Sequence, residues 1–283
     1  MTTTITQAFA KQYSDEVHET YQRGGSKLRN ASRTQTVVDA ADVTWQVVGR
    51  GTATTKGRNT LVPLMDVAHS SITATPVDYY AGVWVDRLDL LKTNIDERAV
   101  LTRASAWALG RKSDELLLTS LAGLATSKTF GVASKGHFRN SILESLEALN
   151  NADVEDDGDR WAIVSPRFWS WLMLLPEFTN ADYLSDAELP YKTGRFMVVR
   201  HWLGVNWLQH SGVSGIGATS SSLLYHRFCV GHAIGCEVTT DISWHGDRQA
   251  HFINHYMSQA ATLIDSAGGV KMSLDETAAL ATS

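Results

Sequence analysis

Four side chains that bind zinc elsewhere in biology lie close together in this chain: His226, Cys229, His232 and Cys236. Neutral imidazole and thiolate hold zinc tetrahedrally, so this run is the first candidate for metal chemistry. Structural zinc sites usually draw ligand pairs from separate chain segments, however. Gly231 and Gly235 inside the run also point to close backbone packing. Buried small cysteines are the better reading. His245, His251 and His255 form a second set. In a strand, His251 and His255 would share a face but lie too far apart for easy joint ligation.

Glu155, Asp156, Asp157 and Asp159 have the composition of a calcium loop without its ligand spacing or terminal Glu, so they read as a solvated turn. The stretch from Gly49 to Asn59 carries Arg50, Lys56 and Arg58 and no acid. A phosphate loop needs Ser or Thr after its Lys, and here Gly57 follows Lys56. No Gly-x-Ser-x-Gly, His-Glu-x-x-His or Gly-x-Gly-x-x-Gly occurs. The residues point to no catalytic site, no cofactor and no metal. A metal-dependent enzyme using the histidines remains the alternative from another class.

The elements that would carry these residues read as follows. Ile5, Phe9, Tyr13, Val17 and Tyr21 recur every four residues and predict an amphipathic helix over 5–21, stopped by Gly24-Gly25. Val43, Trp45 and Val47 alternate with polar neighbours, as do Ile72, Ala74 and Pro76, which predicts two strands. The basic stretch between them is the tip of a long two-stranded excursion. Such a ribbon is barely stable alone and needs a partner surface.

Asn94 and Glu97 form a capping pair for a helix over 94–123, far longer than the average of about 11–12 residues. Gly110 sits in its middle and is read as a point where it can bend. A helix is expected over 137–150 and a strand over 160–164. Ser165-Pro166 starts a further helix that runs to Leu175. A strand pair spans 194–209, and 211–222 is a Gly/Ser-rich loop. Strand, short helix and strand follow over 223–241, then strands over 249–265 and 270–274, and a frayed tail.

At 283 residues the chain can bury a large core without metals or disulfides. Its net charge of −5 excludes a protein whose main task is gripping nucleic acid. Two cysteines are too few for a disulfide framework, which fits a reducing cytoplasm. The N-terminus does not read as a signal peptide, and the apolar runs are too short to cross a membrane.

Tyr79-Tyr80-Ala81-Gly82-Val83-Trp84-Val85-Asp86, Leu88-Asp89 and Lys92-Thr93-Asn94-Ile95-Asp96-Glu97-Arg98 resemble a group of tailed-bacteriophage major capsid proteins. Gln22-Arg23-Gly24-Gly25-Ser26-Lys27-Leu28-Arg29, Ile163-Val164-Ser165-Pro166-Arg167-Phe168-Trp169 and the Gly204-Val205-Asn206-Trp207 turn are similar too. The order of elements from about residue 5 to 275 carries the resemblance better than any one motif does. It implies an α+β Hong Kong 97-type phage capsid fold. The parts are an N-terminal arm (1–35), an extended β-loop (36–85), a peripheral domain (86–137 and 237–283, with the spine helix at 94–123) and an axial domain (138–236).

The implied function is that of a structural coat protein. It self-assembles into pentamers and hexamers that form an icosahedral shell around phage double-stranded DNA, bound without sequence specificity. The implied place is the virion capsid, assembled in the bacterial host cytoplasm. Its partners would be further copies of itself, a portal, decoration proteins and, since the arm begins close to Met1, a separate scaffolding protein. An encapsulin-type compartment is the alternative within the fold. The candidate inter-subunit contacts are Ile5, Phe9, Tyr13, Val17 and Tyr21 on the arm and Arg50, Lys56 and Arg58 on the loop. Lys56 could alternatively join a subunit crosslink.

Overall fold

The computed structural model describes residues 25–37, 41–87, 97–131, 134–179 and 199–280. The arm helix expected over 5–21 and the cap at Asn94 lie outside them. The chain divides into two compact units. The first holds residues 78–111 and 237–257; the second holds 26–77, 112–236 and the chain from 258 onward.

In the second unit a six-stranded sheet runs in the order β5-β12-β9-β6-β8-β7. Its strands are β5 (Thr126–Phe130), β6 (Arg160–Val164), β7 (Val199–Trp202), β8 (Val205–Gln209), β9 (Thr219–His226) and β12 (Gly269–Asp275). β6 lies between β8 and β9, and Ala162, Ile163 and Val164 are fully buried, as a continuous apolar run in a central strand requires. Helices α2 (Lys135–Asn151) and α3 (Pro166–Met173) contribute to the main core, with a four-residue turn α4 (Pro176–Thr179) after them. Ser165 caps α3 as expected: its Oγ accepts from the Phe168 N–H at 3.2 Å, with Pro166 in the first turn. Aromatic rings dominate this core. Phe138 stacks on Trp171 with ring centroids 5.5 Å apart, and Phe168 lies 5.0 Å from Phe130.

The expected strand pair over 194–209 is β7 and β8 in the described part. They join through Leu203 and Gly204, both at positive φ (52° and 72°), the geometry of a two-residue hairpin turn. The turn therefore precedes Val205, which begins β8.

β2 (Val43–Val48) and β3 (His69–Ala74) form the expected antiparallel ribbon, in register from Val43 with Ala74 to Val48 with His69. Its base is buried. Val43, Trp45 and Ala74 pack with Ala233 of β10 (Val230–His245) and with half-buried Val37, Ala260 and Ile264. Beside it, β1 (Arg33–Thr36) runs parallel to the start of β10. β11 (Ala250–Leu263) returns from β10, and the two strands pass by chain continuity through both units. In the first unit, β11 lies between β10 and β4 (Val77–Asp86). Helix α1, Glu97–Leu121, continues without a break through Gly110 and ends just before Gly123, near the expected boundary.

Three expectations are corrected. β5 is a strand where none was read: it has one buried apolar residue, Phe130, and is an edge strand held parallel to β12. The expected 211–222 loop ends early because Thr219 to Ser222 already pair in β9, where Ser220 and Ser222 are fully buried. Their hydroxyls are satisfied, Ser220 Oγ by Ser165 Oγ at 3.2 Å and Ser222 Oγ by the Ser165 N–H at 3.2 Å. The tail after Leu274 is tied down as far as Leu280, not frayed. Glu276 donates its N–H to Ala218 O at 2.8 Å and accepts from the Gly217 N–H at 2.7 Å. Arg167 holds Ala278 O, and Leu280 packs on the core.

Close packing at the ribbon base has a consequence. A Cβ on Gly231 would lie 2.8 Å from Trp45 Cζ2, with more ring atoms within 3.0 Å, and the buried indole has little room to yield. Gly231→Ala should cost about 1–3 kcal/mol and raise hydrogen exchange in residues 43–48. Unchanged urea stability and exchange would contradict the packing argument.

Candidate assembly interface

Several of the metal-ligand types are engaged by other groups. His226 Nε2 lies 3.0 Å from Asp157 Oδ1, and its Nδ1 accepts from the Phe228 N–H at 3.4 Å. His232 Nε2 meets Gln259 Oε1 at 3.2 Å in a buried pair. Cys229 is buried, and burial pushes its thiol up to about 12, away from the thiolate that metal binding needs. Cys236 is half-buried on β10. His245 and Phe252 both pack on Trp84, at 5.0 and 4.5 Å, while His251 packs on Trp244 at 4.9 Å. His255 is buried, which pushes its imidazole pKa down. Among the described residues, no group of three or more His, Cys, Asp and Glu is placed to hold a metal ion.

The acidic turn is more than a solvated loop. Nearly buried Arg160 winds it by donating to Glu155 O at 2.9 Å and Val154 O at 2.6 Å. Asp157 Oδ1 accepts from the Asp159 N–H at 2.9 Å as well as from His226, and these bonds hold the Asp157 carboxyl below its ordinary value. Asp159 lies 3.7 Å from Arg227.

One constellation escaped the sequence. Asp114, on α1, is wholly buried and gathers donors from two distant parts of the chain. Ser26 Oγ donates to Oδ1 at 2.7 Å, and the Lys27 and Leu28 N–H groups donate at 3.1 and 3.2 Å. His210 Nε2 lies 3.0 Å from Oδ2, while its Nδ1 accepts from the Gly212 N–H at 3.0 Å. That acceptor role makes His210 the neutral Nε2–H tautomer, donating to the carboxylate. Serine, aspartate and histidine here do not form a nucleophile triad: the carboxylate sits in the middle, Ser26 bonds it directly, and Asp114 and His210 are sealed from solvent. The visible signal was an acid on the stripe that carries Leu117 and Leu121, three and seven positions on.

The ribbon emerges from this unit. The Gly49 N–H donates to Ala68 O at 2.8 Å, one step past the last strand pair. Arg50 then binds its own chain. It meets Asp153 Oδ2 at 2.8 Å and Ala152 O at 2.6 Å, at the C-terminal cap of α2, where a cation also suits the helix dipole. Lys56 and Arg58 stand exposed, and the chain reverses at Gly57 to Thr60, with Asn59 at φ 67°. Just beyond the turn, Leu61 is 94% exposed and Leu64 96%, with Val62 and Met65 beside them also open. This apolar run was not singled out in the sequence. The arm residues Ile5, Phe9, Tyr13, Val17 and Tyr21 lie outside the described residues.

The chain matches the phage capsid protein family over residues 5–276. Among curated proteins, none matches it. Its backbone is similar to the solved structure of Mycobacterium phage Che8, with 17% identity, a TM-score of 0.75 and coverage of 97% of this chain and 99% of that one. It is also similar to the capsid of cyanophage P-SCSP1u, with 12% identity, a TM-score of 0.74 and coverage of 94% and 93%. The capsid of Myoviridae phage XM1 gives 13%, 0.69, and coverage of 93% and 96%.

Burial raises the Asp114 pKa, but the bonds from His210, Ser26 and Lys27 outweigh it and hold the carboxyl below its ordinary 3.8. Its contribution to stability is therefore full above the unfolded value and lost as pH falls through the lower folded one. Asp114→Asn should cost about 2–4 kcal/mol at pH 7. In urea unfolding of the unassembled subunit, the gap to wild type should narrow in acid. Equal stability at pH 7 would refute the anchoring role.

Proposed function

Because the chain belongs to the phage capsid protein family, we propose that it closes into pentamers and hexamers, and these into an icosahedral shell around double-stranded DNA. It is a structural major capsid protein with the α+β fold of tailed-phage capsids, the Hong Kong 97 type. The observation that carries the assembly reading is the ribbon. Its base is built into one unit, and its distal residues 50–66 are exposed, apolar tip included. Monomers seldom leave such a surface uncovered. Head-to-tail contacts that close make rings.

On this reading residues 1–35 are the arm and 36–85 the extended loop. Residues 86–137 and 237–283 form the peripheral domain, and 138–236 the axial domain. The six-stranded sheet includes β5 and β12, which favours counting both with the axial domain. Ile5, Phe9, Tyr13, Val17 and Tyr21 of the arm, with Arg50, Lys56 and Arg58 of the loop, are the proposed contacts on neighbouring copies. Arg50, bound to Asp153, aims the loop from within its own chain. A scaffolding protein, a portal and decoration proteins are the further partners, with assembly in the host cytoplasm.

Expression followed by electron microscopy and light scattering tests this. Closed particles that package DNA are expected. A monomer or small dimer at all concentrations, with or without co-expressed scaffold, would contradict the reading. So would particles filled with a cargo protein.

A further inference from the structure

The first unit holds a groove of about 620 Å³ between the early turns of α1 and the sheet. Ala99, Thr102, Arg103 and Ala106 form its helical wall, at the i, i+3, i+4 and i+7 spacing that puts them on one face. Thr240 and Ile242 of β10 form the facing wall, and His255 of β11, 1% exposed, closes the floor. The His255 Nδ1 is buried with no hydrogen-bond partner, so Nε2 is the nitrogen left to meet a ligand in the groove. Every polar side chain of the lining can donate: the imidazole, the Arg103 guanidinium and the two threonine hydroxyls, with no acid among them. Two other cavities of the described residues differ, one pairing Glu115 with Lys271 and the other setting Arg50 among Asp153, Glu155 and Asp265.

We propose that this groove binds a small amphipathic carboxylate, an aliphatic acid of medium chain length, with its head on His255 and Arg103 and its tail along Ala99, Ala106 and Ile242. The charge of the ligand follows from the lining. Burial pushes the His255 pKa down, so its imidazole is neutral near pH 7 and donates a bond without adding a charge. Arg103 is then the one cation of the lining, and a single negative charge matches it. Arg103 has an interaction within its own chain, but five N–H donors serve more than one acceptor. Its planar fork suits a carboxylate. Free phosphate or a nucleic-acid backbone would leave the apolar walls unused. Seated there, the acid touches both α1 and β10 and stabilises the folded chain by mass action.

Calorimetric titration of sodium octanoate into the full-length unassembled subunit tests it, with 1-octanol as the body alone and sodium acetate as the head alone. Octanoate should bind saturably, and about tenfold or more tighter than either control, the worth of a charge-assisted bond or of the buried tail. In hydrogen exchange it should protect residues 99–106 and 238–243. His255→Phe and Arg103→Gln should each weaken binding about tenfold. His255→Phe removes an unpartnered buried nitrogen, so its urea unfolding midpoint should not fall. Octanol binding as tightly as octanoate would overturn the carboxylate site, as would unsaturable heats, protection elsewhere in the chain, or full affinity in both variants. None of these outcomes touches the shell reading, which fails only if the chain forms no particles.

Discussion

A single buried carboxylate decides where three distant stretches of this chain meet. Asp114 projects from the long helix into a site closed to water, where a charge survives only if every lone pair is used. Ser26, Lys27 and Leu28 supply donors from the N-terminal side, and His210 supplies one from the loop after β8. With those bonds made, Leu28 and Ala31 are pinned into the same core as Leu117, Leu121 and Leu223. The chain then enters β1 beside β10, and the ribbon follows on a fixed foundation. A capsid subunit must present its extensions repeatably, and this network fixes residues 26–31, from which the chain leads on to β1 and the ribbon.

The ribbon is the reverse case. Its base is over-determined: Trp45 lies against Gly231 in contact tight enough to exclude a methyl group. Its far end has a short turn at Gly57 to Thr60, and its start an exposed ion pair, which contributes about 0–1 kcal/mol. Rigid roots with uncovered tips suit a protein completed by copies of itself. Modest contacts suffice when many are linked, because each one raises the effective concentration for the next.

Local features were legible in the sequence. Alternation at Val43, Trp45 and Val47 gave the ribbon strand, and Ser165-Pro166 gave the helix start, because both signals are written within a few residues. Features that depend on distant partners were hidden. The donors to Asp114 lie as many as 96 residues away, and no spacing rule connects them. β5 exists because β12 pairs with it, and the serines of β9 are buried because Ser165 receives them. Leu61 to Met65 has the composition of a core segment, and only the fold shows that it is left outside. Arg50 also reaches Asp153 of its own chain, a contact set by where α2 ends, about a hundred residues on.

Hydrogen exchange compared between free subunits and closed shells tests the central claim, that the extended ribbon is finished by another copy. Residues 49–68 should become strongly protected on assembly, while β6, already central in its sheet, should not change. Equal exchange of residues 49–68 in subunits and shells would contradict the account.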